Sequence, residues 1–280
     1  MAINWYPGHM HKARKKIMEA MPHIDLVVEV LDARIPHCSR NPLVTELRGE
    51  RPCIELLNKS DLADPVATQA WLVHLQQEKG VTALPLTSTQ KGQVRKVVEL
   101  ALRLFPNRKT ALKPIRTMIM GIPNVGKSTL INSLAGKSIA RVGNEPAVTR
   151  QQQQINLGNG IMLFDTPGIL WPRMGDGNCG YRLAATGAVK DTAIEYEDIA
   201  MFAAEYLLQA YPEALKARYG LSELPSRDIE LLEVLGKKRG CLRAGGRIDL
   251  HKASTILLQD LRSGALGRIS MERPAELGSE

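Results

Sequence analysis

Short apolar runs rich in β-branched residues alternate with amphipathic stretches over the first 165 residues of the chain. Such runs are typical of strands buried in a parallel sheet, and the stretches between them have the 3.6-residue period of helices. The pattern predicts strands at 24–31, 52–57, 81–86, 115–120, 152–157 and 161–164, and helices at 9–21, from 65 onward, at 93–105 and at 127–135. We therefore expect an α/β domain in which helices cover both faces of a mostly parallel sheet.

The pattern changes after residue 175. Strand-like runs disappear, and helical periodicity predicts helices at 199–211, 212–219, 226–235 and 253–261. We expect two domains, an α/β domain at 1–175 and a small all-helical domain at 176–280. The glycine-rich stretch 175–180 (GDGNCG) is the predicted linker between them.

Positive charge is concentrated in the first predicted domain. The 280 residues carry a net charge of +8, but residues 1–175 hold 23 Lys+Arg against 13 Asp+Glu, whereas residues 176–280 hold 14 against 16. Basic residues cluster at 11–16, 91–116 and 237–252. Three such clusters indicate a polyanionic partner such as RNA. Because aromatic residues make up only 4% of the chain, phosphate and shape contacts are favoured over base stacking.

Other classes of protein are poorly supported. No apolar run approaches the roughly 20 residues of a membrane helix, and the first residues do not form a secretory signal. The four cysteines (Cys38, Cys53, Cys179 and Cys241) are far apart and form no CxxC pair, so neither a zinc site nor a disulfide is predicted. We expect a cytoplasmic monomer with reduced thiols and no membrane partner.

The first motif with clear chemistry is a phosphate-binding loop (P-loop) at 121–128. Its sequence GIPNVGKS fits GxxxxGK[ST] between a predicted strand and a predicted helix. Backbone N–H groups of such a loop and the positive end of the helix attract phosphate. Lys127 would reach the β- and γ-phosphates, and Ser128 would hold Mg²⁺. The predicted phosphate-binding residues are Gly121, Asn124, Val125, Gly126, Lys127, Ser128 and Thr129.

A second motif selects guanine. Asn58, Lys59, Ser60 and Asp61 follow a predicted strand and fit the NKxD pattern of GTPases. A carboxylate at Asp61 would accept two N–H donors from the guanine edge, which adenine does not offer. Alone, NKSD could be a simple turn at a strand end, but a P-loop in the same chain favours the guanine-binding interpretation. Thr87 and Ser88, at the end of the next strand, resemble a further base-contacting loop.

A third motif senses the γ-phosphate. Residues 165–168 (DTPG) fit DxxG at a strand end, where Asp165 would bind Mg²⁺ through water and the Gly168 N–H would contact the γ-phosphate. Thr149 lies 22 residues after Lys127, in the position of the switch I threonine that ligates Mg²⁺. The motif order, however, is unusual: NKSD comes first and DTPG last. The domain is therefore predicted to be circularly permuted, since chain ends in such folds often lie close together. In this order the γ-phosphate sensor leads straight into the helical domain, so nucleotide state is expected to reposition that domain.

The catalytic group is less obvious. Many GTPases orient the attacking water with a glutamine after DxxG, but this chain has Ile169 there. Asn124 is a candidate ligand for a monovalent cation such as K⁺, and His9 is a candidate for positioning water. From its sequence position alone His9 is more readily interpreted as a helix-start residue, and the glutamines at 151–154 are a rival source of an amide.

The assembled motifs resemble the YlqF/RbgA family of ribosome-biogenesis GTPases. The resemblance rests on WYPGHM (5–10), DARIP (32–36), SRNP (39–42), GIPNVGKSTLIN (121–132), DTPGILWP (165–172) and KRGCL (238–242). It spans nearly the whole chain and implies a permuted GTPase domain followed by a helical RNA-binding domain.

The resemblance also implies a function and partners. The implied partners are a late precursor of the large ribosomal subunit, its 23S rRNA and ribosomal proteins. The implied function is GTP hydrolysis that the ribosome and K⁺ stimulate. The resemblance further implies that His9 takes part in hydrolysis. One departure is Ala147, where relatives have glycine before the switch I threonine, and it makes the assignment of Thr149 less secure than that of Asp165.

Two other functions remain as alternatives. One is a GTPase switch outside the ribosome that acts on a protein effector, although such a switch would not need three basic clusters. The other is a P-loop kinase that uses ATP, which NKSD disfavours.

Overall fold

Six strands form one sheet at the centre of the first part of the chain. The computed structural model describes residues 8–138, 153–166, 168, 177–189 and 195–275. Its strands are β1 (Leu26–Asp32), β2 (Cys53–Asn58), β3 (Val81–Leu86), β4 (Ile115–Gly121), β5 (Gln153–Asn156) and β6 (Ile161–Asp165). They lie in the order β3-β2-β1-β4-β6-β5, and only the β5–β6 pair is antiparallel. The mostly parallel sheet predicted from the alternation is confirmed.

Helices connect the strands and form the second half of the chain. In the first half they are α1 (Gly8–Ala20), α2 (Pro36–Ser39), α3 (Pro42–Arg48), α4 (Pro65–Leu75), α5 (Lys91–Arg103) and α6 (Lys127–Ala135). The second half contains α7 (Gly177–Ala185), α8 (Tyr196–Ala210), α9 (Pro212–Tyr219), α10 (Asp228–Lys238) and α11 (Leu250–Ser263). Among the described helices, none has the length and apolarity that crossing a bilayer requires.

Strand β1 shows why the sheet needs helices on both sides. All seven of its residues are buried. Leu26, Val28 and Val30 join one apolar cluster, whereas Val27 and Leu31 belong to two others. Because successive side chains of a strand point to opposite faces, both faces of β1 are covered. This is the burial expected for a central strand of a parallel α/β sheet.

The parallel strands bring the predicted motifs to one edge. NKSD starts at the last residue of β2, the P-loop starts at the end of β4, and DTPG starts at the end of β6. Since these strands are parallel to one another, their carboxyl ends share one edge of the sheet. The permuted motif order is thus compatible with one site, which confirms the circularly permuted GTPase fold predicted from the sequence.

The prediction that residues 175–180 form a linker is wrong for residues 177–180. Residues 177–180 form the first turn of α7, although three of the six residues at 175–180 are glycines. Cys179 and Leu183 of this helix are buried in the same apolar cluster as the sheet. Tertiary packing thus overrides the weak helix propensity of the sequence. The predicted domain boundary at 175–176 lies outside the described residues.

The expectation of reduced, unpaired cysteines is also wrong for two of the four. Cys38 and Cys179 form a disulfide, with Cα atoms 5.2 Å apart and a sequence separation of 141 positions. Cys53 and Cys241 are free and buried. The disulfide could not be predicted from the sequence because it depends on how α2 packs against α7. No rule of cysteine spacing applies to so distant a pair.

Candidate active site

Two glycines shape the P-loop through close contacts of their backbone. Gly121 has φ +147°, and a Cβ built on it would lie 2.5 Å from the Val30 carbonyl oxygen of the neighbouring strand. Gly126 has φ +102° and is the N-cap of α6. Both positions therefore exclude an ordinary side chain. The loop also places Asn124 in the left-handed region, with φ +55°.

The start of α6 has the properties of an anion site. No described side chain caps this helix, and its first turn contains no acidic residue. The helix N–H groups and its dipole therefore favour a negative ligand. Ser128 and Thr129 lie in the same turn and are half-buried. These features fit the phosphates of a nucleotide.

Lys127 is the buried cation of this loop. Its Nζ donates to the carbonyl oxygens of Gly121 at 2.9 Å and Ile122 at 2.7 Å, so the side chain folds back along the P-loop. Burial lowers the pKa of Lys127 to about 8, and the charge of the Asp165 carboxylate opposes that shift. Asp165 is itself buried at the end of β6. The charges of Lys127 and Asp165 thus act on each other where phosphate and metal would bind.

Asn58 connects three of the predicted motifs. Its Nδ2 donates to the Val125 carbonyl in the P-loop at 2.7 Å. Its Oδ1 accepts hydrogen bonds from the Ser88 backbone N–H at 3.1 Å and from the Ser88 hydroxyl at 2.8 Å. The side chain therefore fixes the three loops relative to one another. Sequence reasoning brought Asn58, Val125 and Ser88 into one site, but it did not predict this direct link.

The guanine-reading loop presents a carboxylate at the surface. Asp61 is exposed, and its Oδ1 accepts a hydrogen bond from the Thr87 hydroxyl at 3.2 Å. The hydroxyls of Thr87 and Ser60 are also 3.2 Å apart. The structure thus brings Thr87 and Ser88 next to NKSD, as the sequence predicts for two parts of one base-binding site.

An ion cluster beneath the loop was missed. Lys59, at φ +59°, donates from Nζ to Asp32 Oδ2 at 2.9 Å. Arg34 donates to both oxygens of Asp32, at 2.9 and 2.7 Å. Burial alone would raise the pKa of Asp32, but Arg34 and Lys59 outweigh it and hold that pKa well below its usual range. The available signal was an acid at the end of a buried strand with an arginine two residues later.

The γ-phosphate side of the site is tightly packed. A Cβ added to Gly168 would lie 2.9 Å from the Pro123 backbone and 3.1 Å from Lys127 Nζ. DTPG is therefore directly against the P-loop. Asn124 donates from Nδ2 to the Gly187 carbonyl at 3.0 Å, which links the P-loop to the second half of the chain.

Two of the predicted site residues, Thr149 and His9, lie wholly or partly outside the part of the chain that the structure describes. Thr149 lies outside the described residues, as does the residue that replaces the glutamine of other GTPases, Ile169. His9 lies in the first turn of α1, and its side chain is outside the description.

Comparison with known proteins agrees with this geometry. The profile of a protein family described as "50S ribosome-binding GTPase" matches residues 116–230, which include the P-loop and DTPG but not NKSD. Ribosome biogenesis GTPase A of Priestia megaterium is 45% identical over 284 residues, covering 99% of this chain and 98% of the relative. The Thermotoga maritima protein of the same name is 34% identical, over 98% and 96% of the two chains.

The chain belongs to the ribosome biogenesis GTPase A (RbgA/YlqF) family. Solved structures agree: the GDP-bound structure of TM YlqF has a TM-score of 0.65 at 31% identity, covering 93% of this chain and 99% of that one. GNP-bound YlqF from T. maritima gives 0.64 at 31% identity, over 94% and 98%. Family membership confirms the resemblance stated from the motifs, and it makes the chain a nucleotide-binding GTPase.

Proposed function

We propose that this RbgA-family GTPase assists late assembly of the large (50S) ribosomal subunit. In this proposal it binds the precursor particle in its GTP state and leaves after hydrolysis. The observation that carries the GTPase part is the hydrogen bonding of Asn58, which joins NKSD, the P-loop and the Ser88 loop. A protein switch with no ribosomal partner, the alternative from the sequence, is not favoured by the family.

Each loop has a defined task in nucleotide binding. Asp61 would accept the two guanine N–H donors, because its carboxylate is exposed at the loop surface. The α6 N-terminus and Lys127 would hold the β- and γ-phosphates. Phosphate would replace the carbonyl oxygens of Gly121 and Ile122 as the partner of Lys127 Nζ.

A magnesium ion fits the oxygen-rich side of the loop. Ser128 offers a hydroxyl in the first turn of α6, and Asp165 offers a buried carboxylate at the end of β6. Oxygen donors of this kind suit Mg²⁺. Ser128, Thr149 and Asp165 would hold the ion, which would neutralise charge on the phosphates.

Hydrolysis needs a group that replaces the glutamine of other GTPases. We assign this role to His9, which would position the attacking water when the chain is bound to the precursor particle. We also assign Asn124 as a ligand for K⁺, because this P-loop residue lies beside the predicted phosphate site, where a monovalent cation would add positive charge. Particle-stimulated and K⁺-dependent hydrolysis follow from these two assignments.

The helical domain offers the clearest surface for ribosomal RNA. A basic hairpin joins α10 to α11, closed by a bridge between Leu242 and Ile248. The basic side chains on and beside it are all exposed: Lys237, Lys238, Arg239, Arg243, Arg247 and Lys252. Exposed cations on a short hairpin suit the phosphate backbone of 23S rRNA.

Asp61→Asn tests the nucleotide assignment and the ribosomal assignment together. An asparagine can donate to the 2-carbonyl of xanthine, so this variant should lose GTP binding and gain XTP binding. Large-subunit precursor particles should then stimulate its hydrolysis of XTP but not of GTP. The measurement is phosphate release with each nucleotide, with and without particles.

The matched control is Asp198→Asn, an acid-to-amide change in the first turn of α8. This variant should keep the preference of the unchanged chain for GTP. An Asp61→Asn variant that still preferred GTP would overturn the guanine assignment. A rate of XTP hydrolysis by Asp61→Asn that precursor particles do not raise would overturn the ribosomal assignment.

A further inference from the structure

The segment after the last helix lies against the guanine-reading loop. We call residues 264–273 the C-terminal strap; it follows α11 directly. The strap is well ordered by burial, because Leu266, Ile269, Ser270, Met271 and Glu272 are all buried. Its contacts reach residues more than 200 positions earlier in the chain. None of the motifs in the sequence indicated such a contact.

The strap binds three carbonyl groups of the loop backbone through one of its own N–H groups and one arginine. Arg268 donates from Nε to the Ala63 carbonyl and from Nη2 to the Ser60 carbonyl, both at 2.9 Å. The Ile269 N–H donates to the Leu62 carbonyl at 2.9 Å. The bound carbonyls lie on both sides of Asp61, so the strap grips the backbone that carries the guanine-reading carboxylate.

Further contacts fix the loop where it leaves the site. The Asp64 backbone N–H donates to the Ser270 hydroxyl at 3.1 Å. The Asp64 carboxylate receives hydrogen bonds from Tyr211 and from Arg273, each at 3.1 Å. The same carboxylate caps α4. The helical domain thus holds the loop at its exit as well as on both sides of Asp61.

We propose that Arg268 is a positioning residue for guanine recognition. The inference rests on the proposed role of Asp61. A carboxylate on an exposed loop distinguishes the two N–H donors of guanine only if its backbone is held in place. Arg268 supplies that restraint from the helical domain, so guanine binding and docking of the strap stabilise each other. Such coupling is reciprocal by thermodynamic necessity.

The test compares GDP with IDP, the diphosphate of inosine. Hypoxanthine lacks the 2-amino group of guanine, so the difference in Kd reports how well Asp61 is aimed at that group. In full-length Arg268→Ala, the Kd for GDP should rise about tenfold and that for IDP by less than about threefold. The ratio of the Kd for IDP to the Kd for GDP should therefore become smaller than in the unchanged chain. Isothermal titration calorimetry measures both values.

Two other variants serve as controls. Arg227→Ala removes an exposed arginine that pairs with Glu230 in the helical domain and should leave both Kd values unchanged. Arg268→Lys keeps the charge but offers no planar pair of donors, so its Kd for GDP should fall between those of the unchanged chain and Arg268→Ala. A general loss of stability would raise both Kd values equally and leave the GDP preference unchanged.

Amide exchange in the unchanged protein covers the case in which Arg268→Ala does not fold. GDP binding should slow exchange of the Ile269 N–H, which donates to Leu62. An exchange rate of the Ile269 N–H that GDP does not change would overturn the coupling. An unchanged ratio of the Kd for GDP to the Kd for IDP in a folded Arg268→Ala variant would overturn the positioning role. Failure of Asp61→Asn to gain xanthine binding would instead overturn the proposed function beneath it.

Discussion

Gly126 is a P-loop residue at which a side chain would collide with the guanine-reading loop. A Cβ built there would lie 2.3 Å from Asn58 Nδ2. Asn58 cannot withdraw without losing its hydrogen bonds to Val125 and Ser88. A side chain at this position would therefore separate the loops that must bind one nucleotide, in addition to straining a backbone at φ +102°.

Gly126→Ala should lower GDP affinity by more than about tenfold, because the backbone strain costs roughly 1–3 kcal/mol and the loops move apart. Gly136→Ala is the matched control: its glycine has φ +66° and no atom within 4 Å of an added Cβ. Both variants place an alanine at a positive φ, although alanine adopts +66° more easily than +102°, and only the methyl group at 126 would meet Asn58. Calorimetric GDP titration of the two variants measures the difference in affinity, and equal affinities would contradict the account.

At this scale the sequence was informative where chemistry is tied to short motifs. NKSD, GIPNVGKS and DTPG predicted Asn58, Asp61, Lys127 and Asp165 as neighbours, and the structure brings them to one edge of the sheet. It could not predict Arg268 or the Asp32–Arg34 pair as parts of the site. The partners of Arg268 are backbone carbonyls more than 200 residues away, which leave no pattern in a linear motif. The Asp32–Arg34 pair is local, but nothing in its spacing shows that Lys59 joins it.

Two central strands carry an unusual pair of acids. Glu29 of β1 and Glu55 of β2 are neighbours in the parallel register, and each is about 1% exposed. Glu29 Oε1 accepts from the Asn41 backbone N–H at 2.8 Å, and Glu55 Oε1 accepts from Arg40 Nε at 2.8 Å. Burial, with a smaller contribution from the Glu55 charge, raises the pKa of Glu29 to about 8. The sheet therefore contains an acid that is protonated at neutral pH.

This acid gives the fold a specific pH dependence. Between the ordinary pKa of 4.5 and about 8, the folded chain holds a proton on Glu29 that the unfolded chain releases. The stability due to that proton is complete below pH 4.5 and declines as pH rises to about 8. Glu29→Gln resembles the protonated acid and lacks this decline, while its Oε1 can still accept from Asn41.

The free energy of unfolding of the unchanged chain should therefore fall relative to that of Glu29→Gln by about 1 kcal/mol for each pH unit between pH 5.5 and 7.5. Urea denaturation at three pH values measures the difference. Glu50→Gln, at an exposed side chain, should follow the unchanged chain. Parallel pH profiles for the unchanged chain and Glu29→Gln would be inconsistent with a buried, protonated Glu29.

Elements were predicted well wherever local signals were strong. Asp64 caps α4 as the Asp-Pro pair predicts, and β3, α6 and α9 have the predicted bounds. The short helices α2 and α3, each of which begins at a proline between β1 and β2, were not predicted. Neither was any part of α7, where burial among neighbouring helices outweighs the glycines. Local propensity fails at these places because their stability comes from packing.

The whole molecule is connected by contacts that no local pattern reveals. One apolar cluster runs from sheet residues such as Ile119 into helical residues such as Leu257. The Cys38–Cys179 disulfide and the C-terminal strap add further links between the two halves. Glu272 of the strap accepts hydrogen bonds from the N–H groups of His37 and Cys38, beside the disulfide. The nucleotide loops and the C-terminal helices thus form one connected network.

The most direct test of the account is co-sedimentation with large-subunit precursor particles from cells that lack this protein. The chain should sediment with the particles when bound to a non-hydrolysable GTP analogue and stay largely in the supernatant with GDP. Binding in the analogue state should fall steeply with salt, as expected for phosphate contacts made by the basic hairpin. Lys127→Ala, which should not hold nucleotide, serves as the control and should show no difference between the two nucleotides. Equal sedimentation of the unchanged chain with the analogue and with GDP would contradict the proposal that nucleotide state controls its binding to the precursor particle.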